Sequence, residues 1–253
     1  MAKRNAKERQ ARILQLLADN GTMKMMELAD YFQVSRETIR RDLIVLNQEG
    51  TAKKWFGGAV PVQNFDIPPI DFRSVEMQEE KRRIAEECLK HLSEKSVLFL
   101  DTGSTALCIA RLLAACCGHT IITNSIPAVN ALLGSENQII MTGGSVDSAV
   151  MSVTGMQTAE FLEHVKVDLA FLGSSGFDRH QGPTGNSFED AQIKKIALRN
   201  ARTTIVAADS RKADYSSLIQ YAGWKDIDYL ITDTGLSKSA RNYLNELTQL
   251  ICV

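Results

Sequence analysis

Apolar residues recur at helical spacing in the first fifth of the chain and come as short unbroken runs further on, so the two regions predict different architectures. In "ERQARILQLLADNG", from Glu8, the residues Ile13, Leu14, Leu16 and Leu17 form a helical stripe, and Asn20-Gly21 is a stop signal. "MKMMELADYFQV" predicts a second, short helix with Met26, Leu28, Ala29 and Phe32 on its apolar side. Ser35 is placed to cap a third helix, because its hydroxyl can accept one of the backbone N–H groups left over at a helix start. In that helix Ile39, Leu43 and Leu46 fall at i, i+4 and i+7 and should face inward. Gly50 ends it, and "TAKKWFGGAV" predicts a tight β-ribbon with Gly57-Gly58 in or beside its turn.

Three of the five prolines, Pro61, Pro68 and Pro69, follow the ribbon. Proline removes backbone donors and favours extended chain. Residues 61–76 are therefore expected to be a tether between a head, 1–60, and a body, 77–253, that opens on a helix from Met77. In the body, "SVLFLD", "TIITN", "QIIMTGG", "VDLAFLG", "TTIVAAD" and "DYLITD" are short continuous apolar runs separated by helical patterns. Buried parallel strands with crossover helices read this way, so an α/β fold with a mostly parallel sheet is expected. The runs end in Asp101, Asn124, Gly143-Gly144, Gly173, Asp209 and Asp233. In open α/β sheets ligands bind outside the carboxyl ends of the strands, which is where these small and polar residues fall.

Charge sharpens the division. The 253 residues have a net charge of -1, yet residues 1–60 carry 11 Lys and Arg against 7 Asp and Glu, and the remainder 18 against 23. A basic head on an acidic body implies two parts with different partners. No apolar run approaches the ~20 residues that span a bilayer, and no apolar core follows the basic start "MAKRNAKERQ". These features predict a cytoplasmic chain without a membrane partner. The five cysteines have no C-x-x-C spacing, and none of the four histidines is spaced from a cysteine as a zinc ligand would be. Reduced, mostly buried thiols are expected, with no metal and no cofactor.

Helix, short helix, turn, arginine-bearing helix and ribbon make a winged helix-turn-helix, whose third helix enters the major groove of double-stranded DNA. Arg36 and Arg40 lie four apart on the side opposite the apolar stripe, with Arg41 beside them. Guanidinium groups bond guanine O6 and N7 in bidentate fashion, or pair with phosphate. Ser35 and Thr38 can reach DNA from the helix start, and Lys53 and Lys54 from the wing. "SRETIRRDL" with "NQEG" and "GGA" resembles the DeoR family of bacterial transcription regulators, whose recognition helix carries S-x-x-T-I-R-R-D-L. The chain departs from that pattern at Phe56, where the family often has histidine, and at Lys54, where it often has arginine. "F..R...M..EK" continues the resemblance across the tether.

In the body, "FLDTGSTALCIA" places a strand end at Asp101, a tight turn at Gly103 and a helix start at Ser104-Thr105. Backbone N–H groups and two hydroxyls there form an anion cradle, although the turn lacks the lysine of a Walker loop. Asp101 would repel a phosphate and is better suited to accept sugar hydroxyls. Lys212 in "VAADSRKAD" offers a cation, Thr123, Asn124 and Ser125 end another strand, and Glu189 or Asp190 offers an acid at a helix start. The body is similar to the DeoR effector domain and, through it, to ribose-5-phosphate isomerase, whose G-T-G-S-T loop looks like residues 101–105. The family's D-S-S-K looks like residues 209–212. The resemblance implies an operator-binding repressor of sugar metabolism, relieved by a sugar phosphate and assembled as a homodimer or homotetramer. Ser174 and Ser175 stand where the isomerase has acids, and the family's E-A reads Asp190-Ala191. Moving a proton between carbons needs a positioned base, so an isomerase with a DNA-binding head is the weaker reading. An activator of the same family remains open, because its sign depends on operator position.

Overall fold

The computed structural model describes the backbone of residues 2–20, 23–48, 52–55, 58–61, 70–148, 150–178, 181–215 and 217–253. It describes the side chains of these residues apart from 2–5, 18–20, 47, 48, 52–55, 58–61, 71 and 72. The chain forms two compact units, Met1–Pro68 and Pro69–Val253.

In the first unit α1 (Ala2–Asn20) is followed by β1 (Met23–Lys24), α2 (Met25–Phe32), α3 (Arg36–Gln48), β2 (Ala52–Trp55) and β3 (Gly58–Pro61). Ile13 and Leu17 of α1, Leu28 and Ala29 of α2, and Ile39, Leu43 and Leu46 of α3 share one buried cluster. The inward stripe of α2 includes Met25, which packs against that cluster, while Met26 is 50% exposed. The expected stripe was thus out of phase by one residue at its start. Gln33, in the left-handed region at φ 51°, turns the chain between α2 and α3. The ribbon is a three-stranded sheet in which β3 pairs antiparallel with both β1 and β2.

The second unit opens with α4 (Ile70–Val75) and α5 (Gln78–Leu89). Residues 70–75, expected within the tether, are therefore helical, and Ile70 is buried. Prolines 68 and 69 precede this helix, a position in which the missing N–H costs nothing. There follow β4 (Val97–Leu100), α6 (Ser104–Leu113), β5 (Cys117–Thr123), α7 (Ile126–Leu132), β6 (Glu136–Met141), β7 (Ser145–Asp147), β8 (Ser152–Thr154) and α8 (Met156–Glu163). The chain continues with β9 (Val167–Leu172), β10 (Thr184–Gly185), α9 (Phe188–Asn200), β11 (Ala201–Ala207), β12 (Ile219–Gln220), β13 (Tyr229–Thr232), α10 (Lys238–Asn245) and β14 (Gln249–Cys252).

Seven strands build one sheet in the order β14-β13-β11-β9-β4-β5-β6, every neighbouring pair parallel. Alternation within strands sends Leu98, Leu100, Leu169 and Phe171 to one face, where Ile84 of α5 and Ile109 of α6 cover them. Phe99, Ala170 and Leu172 go to the other face, under Leu162 of α8 and Ile193 of α9. From β4 the order runs outward in both directions, so the topological switch lies between β4 and β9. The expected buried thiols are found at Cys88 and Cys108, but Cys117 is exposed. Among the described residues no helix is long and apolar enough to cross a membrane.

Candidate functional site

On the first unit, the exposed side of α3 presents Arg36, Arg40 and Arg41. Burial of Ile39, Leu43 and Leu46 fixes the helix's rotation and leaves the arginines outward. Glu37 takes Arg40 at 3.2 Å and Arg41 at 3.5 Å. The Arg40 hydrogen bond leads in holding the Glu37 carboxyl below its ordinary pKa. Exposed pairs of this kind are weak, so the guanidinium groups can exchange Glu37 for a nucleic acid acceptor. Ser35 Oγ accepts the Thr38 N–H at 3.2 Å and meets Thr38 Oγ1 at 2.9 Å, which caps the helix. Asp42, beside the arginines in sequence, is buried and accepts from Arg9 Nε at 2.5 Å and Gln10 Nε2 at 3.0 Å. It ties α3 to α1. Lys53 and Lys54 fall on β2, but their side chains lie outside the described ones.

In the second unit the switch between β4 and β9 brings Asp101 against Gly173, whose N–H donates to Asp101 Oδ2 at 2.8 Å. Asp101 is 0% exposed. Lys194, on α9 and 3% exposed, lies 3.0 Å from Asp101 Oδ2 and also binds Asp190 one helical turn earlier. Asp101 is thus the apex of a buried acid–lysine–acid triad, not the open acceptor expected of a strand end. Burial raises its pKa, and the Lys194 charge opposes that rise. Burial works against the Lys194 cation, but the two carboxylates outweigh it and raise the ammonium pKa. Of the two acids left open by the sequence, Asp190 is buried and Glu189 exposed. Tyr221 roofs the triad, with the Lys194 ammonium 6.0 Å from its ring and its hydroxyl donating to the Gly173 carbonyl at 2.9 Å.

Beside the triad, Gly103 adopts φ 131° and opens α6, whose Ser104 and Thr105 are buried. The first N–H groups of such a helix have no partner within it and point past its start. Across the switch, Lys212 sits in the short helical turn Ser210–Asp214 after β11. Burial lowers its pKa, opposed by Asp209 and reinforced by Arg73 and Arg211. Among the described residues its ammonium makes no hydrogen bond or ion pair, and it lies 6.0 Å from the Tyr215 ring. Arg211 pairs with Asp209 at 3.0 Å. Asp233 anchors the turn by accepting the Ser210 N–H and hydroxyl at 2.7 and 2.8 Å.

The remaining sequence-predicted residues serve the frame. Thr123 Oγ1 donates to the Leu100 carbonyl at 2.6 Å, and Ser125 caps α7. Asn124 donates to the Val153 carbonyl at 3.3 Å, and its Oδ1 is buried without a partner among the described residues. The Gly143 carbonyl accepts from Thr158 at 2.5 Å. At Gly144, φ 135°, a Cβ would stand 2.4 Å from the Thr154 carbonyl, so only glycine fits. Ser174, where the isomerase has an acid, accepts the Gly176 and Thr184 N–H groups at 3.3 and 3.1 Å. Sequence reasoning missed Lys194 and Tyr221. The i,i+4 spacing of Asp190 and Lys194 was a usable signal for the first.

An arginine-bearing helix on one unit and a cationic cleft at the switch point of the other define a DNA-binding regulator with a small-molecule sensor. The model of the DeoR C terminal sensor domain matches residues 76–234, and that of the DeoR-like helix-turn-helix domain matches residues 9–64. The chain belongs to the DeoR family of transcription regulators. It is 31% identical to the HTH-type transcriptional regulator GlpR of Haloferax volcanii, over 92% of each chain. It is 34% identical to the uncharacterized HTH-type transcriptional regulator YulB of Bacillus subtilis, over 94% of this chain and 93% of that one. Identity to the glycerol-3-phosphate regulon repressor of Escherichia coli is 29%, over 87% and 88%. A solved D-ribose-5-phosphate isomerase in complex with phospho-erythronic acid is 22% identical over 53% of each chain, with a TM-score of 0.40. That likeness is too distant to bear on activity.

Proposed function

We propose that the chain represses a sugar-metabolism operon and releases its operator when a phosphorylated sugar enters the cleft. The observation that supports this most is the meeting of the α6 start with Lys212 across the sheet switch. N–H and hydroxyl donors with a cation suit the anionic end of the ligand. The Asp101–Lys194–Asp190 triad beside them suits its hydroxyls through Lys194 and Asp190, with Asp101 holding Lys194 in place. In the head, Arg36, Arg40 and Arg41 would read base edges, Ser35 and Thr38 would meet the DNA near the helix start, and Lys53 and Lys54 would follow the phosphates. One winged helix makes few base contacts, so a homodimer or homotetramer acting in the cytoplasm belongs to the same reading. Turnover is disfavoured because Asp101 and Asp190 are both bound to Lys194 and Ser174 is taken up by backbone groups. A calorimetric screen of pentose, hexose, hexitol and amino-sugar phosphates against the full chain should find a ligand that is recovered unchanged. A screen without a ligand removes the sensor reading, and an isomerised product restores the enzyme.

A further inference from the structure

The helix α4 is the first element of the second unit and follows directly on the stretch that leads out of the wing. Two side chains fix its last turn. Lys81, on α5 and 2% exposed, donates to the carbonyls of Arg73 at 2.6 Å and Glu76 at 2.7 Å. Arg211 Nη1 reaches Glu76 Oε2 at 3.4 Å from the turn after β11. The exit of α4 is thereby stitched to the segment that carries Lys212. From this turn the guanidinium of Arg73 reaches the anion cradle, where its Nη1 lies 3.9 Å from the place a Cβ on Gly103 would occupy.

The charges around it are unbalanced in a telling way. Burial pushes the Arg73 pKa down to about 10, although the Asp190 and Asp101 carboxylates oppose that fall. Arg73 and Arg211 both add to the lowering at Lys212, and Arg211 and Lys212 do the same at Lys81. Four cations share a small buried volume with Asp209 and Glu76, so an entering dianion relieves repulsion as well as making bonds. A guanidinium is planar and offers parallel N–H donors, the geometry that grips a phosphate in two places.

We infer that Arg73 is a ligand of the effector's phosphate and that α4 is the element through which an occupied cleft acts on the DNA-binding unit. The inference rests on the reading of the cleft as a phosphate site and names the residue that turns binding into a signal. Without ligand the guanidinium faces Asp101 and Asp190; a phosphate at the α6 start draws it toward Gly103 and biases the last turn of α4. A ligand can shift such an equilibrium only by a difference in contacts between the two arrangements, and Arg73 supplies that difference.

Inorganic phosphate is the probe, titrated into the full-length chain at fixed ionic strength, with affinity from calorimetry and amide hydrogen exchange followed across residues 70–77. We expect the native chain to bind phosphate and exchange in 70–77 to slow on binding. Arg73→Gln should weaken binding at least about tenfold and abolish the slowing, as loss of a bidentate charged contact does. Arg73→Lys, which keeps the charge, decides by the same thresholds if the glutamine variant does not fold. Binding within about twofold of native in a folded Arg73 variant, while Lys212→Ala loses it, overturns the role of Arg73 and leaves the cleft reading standing. Slowed exchange absent from the native chain despite phosphate binding overturns the role of α4. No binding to the native chain removes the cleft reading and this inference together.

Discussion

Replacing Lys194 with methionine keeps most of the side-chain volume and removes the one cation that binds both Asp101 and Asp190. Asp101, at 0% exposure, then keeps only the Gly173 N–H as a recorded hydrogen-bond donor and must either stay charged in a dry site or take up a proton. Holding a carboxyl of pKa about 3.9 neutral at about pH 7.5 costs roughly 5 kcal/mol, at about 1.4 kcal/mol per pH unit. Loss of one partner from a buried pair costs about 3–5 kcal/mol, so the expected deficit is about 4 kcal/mol near pH 7.5. In the variant the folded-state pKa of Asp101 lies above its unfolded value. The folded state then holds the extra proton, and the variant loses stability as pH rises through the interval between the two values. At about pH 5 neutralisation costs only about 1.5 kcal/mol, so the deficit should fall to near that figure. For a unit of this size 1 kcal/mol moves Tm by about 2–4 °C, which gives a loss of about 8–16 °C near neutrality. Differential scanning calorimetry of both chains at the two pH values measures it. A loss below about 1 kcal/mol near neutrality, or a deficit that does not shrink in acid, refutes the argument.

Arg40→Ala and Arg41→Ala should each weaken operator binding by about 1–3 kcal/mol if the residue meets a base, with no change in fold; unchanged affinity in both, by gel shift at fixed salt, removes α3 as the reader. Removing Lys53 or Lys54 should weaken all duplexes alike and flatten the salt dependence by about one unit of slope per lost contact, and a changed sequence preference with an unchanged slope contradicts that assignment. Burial, with help from Arg211 and Lys212 and against Asp209 and Glu76, pushes the Lys81 pKa down to about 8. An anion in the cleft favours the charged form of Lys81, so binding should take up protons near pH 8 and affinity should fall as pH rises through that value. Calorimetry in buffers of different ionisation heat reads the uptake, and zero uptake near pH 8 disproves it.

What could be read in advance follows from how local each feature is. The stripe Ile39, Leu43 and Leu46 sits among charges, so helix, buried face and exposed arginines follow from spacing alone. Six of the seven sheet strands announced themselves as apolar runs between helical patterns. The seventh, β14, is four residues at the chain's end with no helix after it, so nothing marked it as part of the series. In α2 the adjacent Met25 and Met26 offer two phases of the same stripe, and packing chooses the first. Pro68-Pro69 marked a tether correctly as far as they go, but proline also suits the approach to a helix, and α4 begins beside them. The cradle at Gly103–Thr105 and the cation at Lys212 were legible because strand, turn and helix start are contiguous. Lys194 reaching Asp101, and Arg73 reaching Gly103, are contacts between distant segments that only the sheet order creates.

The central claim is that a phosphate-bearing ligand in the cleft governs the grip of the arginine helix on DNA. The most direct measurement is fluorescence anisotropy of a labelled duplex from upstream of the chain's own gene, titrated with full-length native protein and with Lys212→Ala, each with and without the sugar phosphates of the screen. The account predicts that one of them weakens native DNA binding at least about tenfold, a coupling of roughly 1.4 kcal/mol, while Lys212→Ala grips the duplex equally with or without it. Tight DNA binding by the native chain that no member of the panel changes, or an equal response in Lys212→Ala, contradicts it.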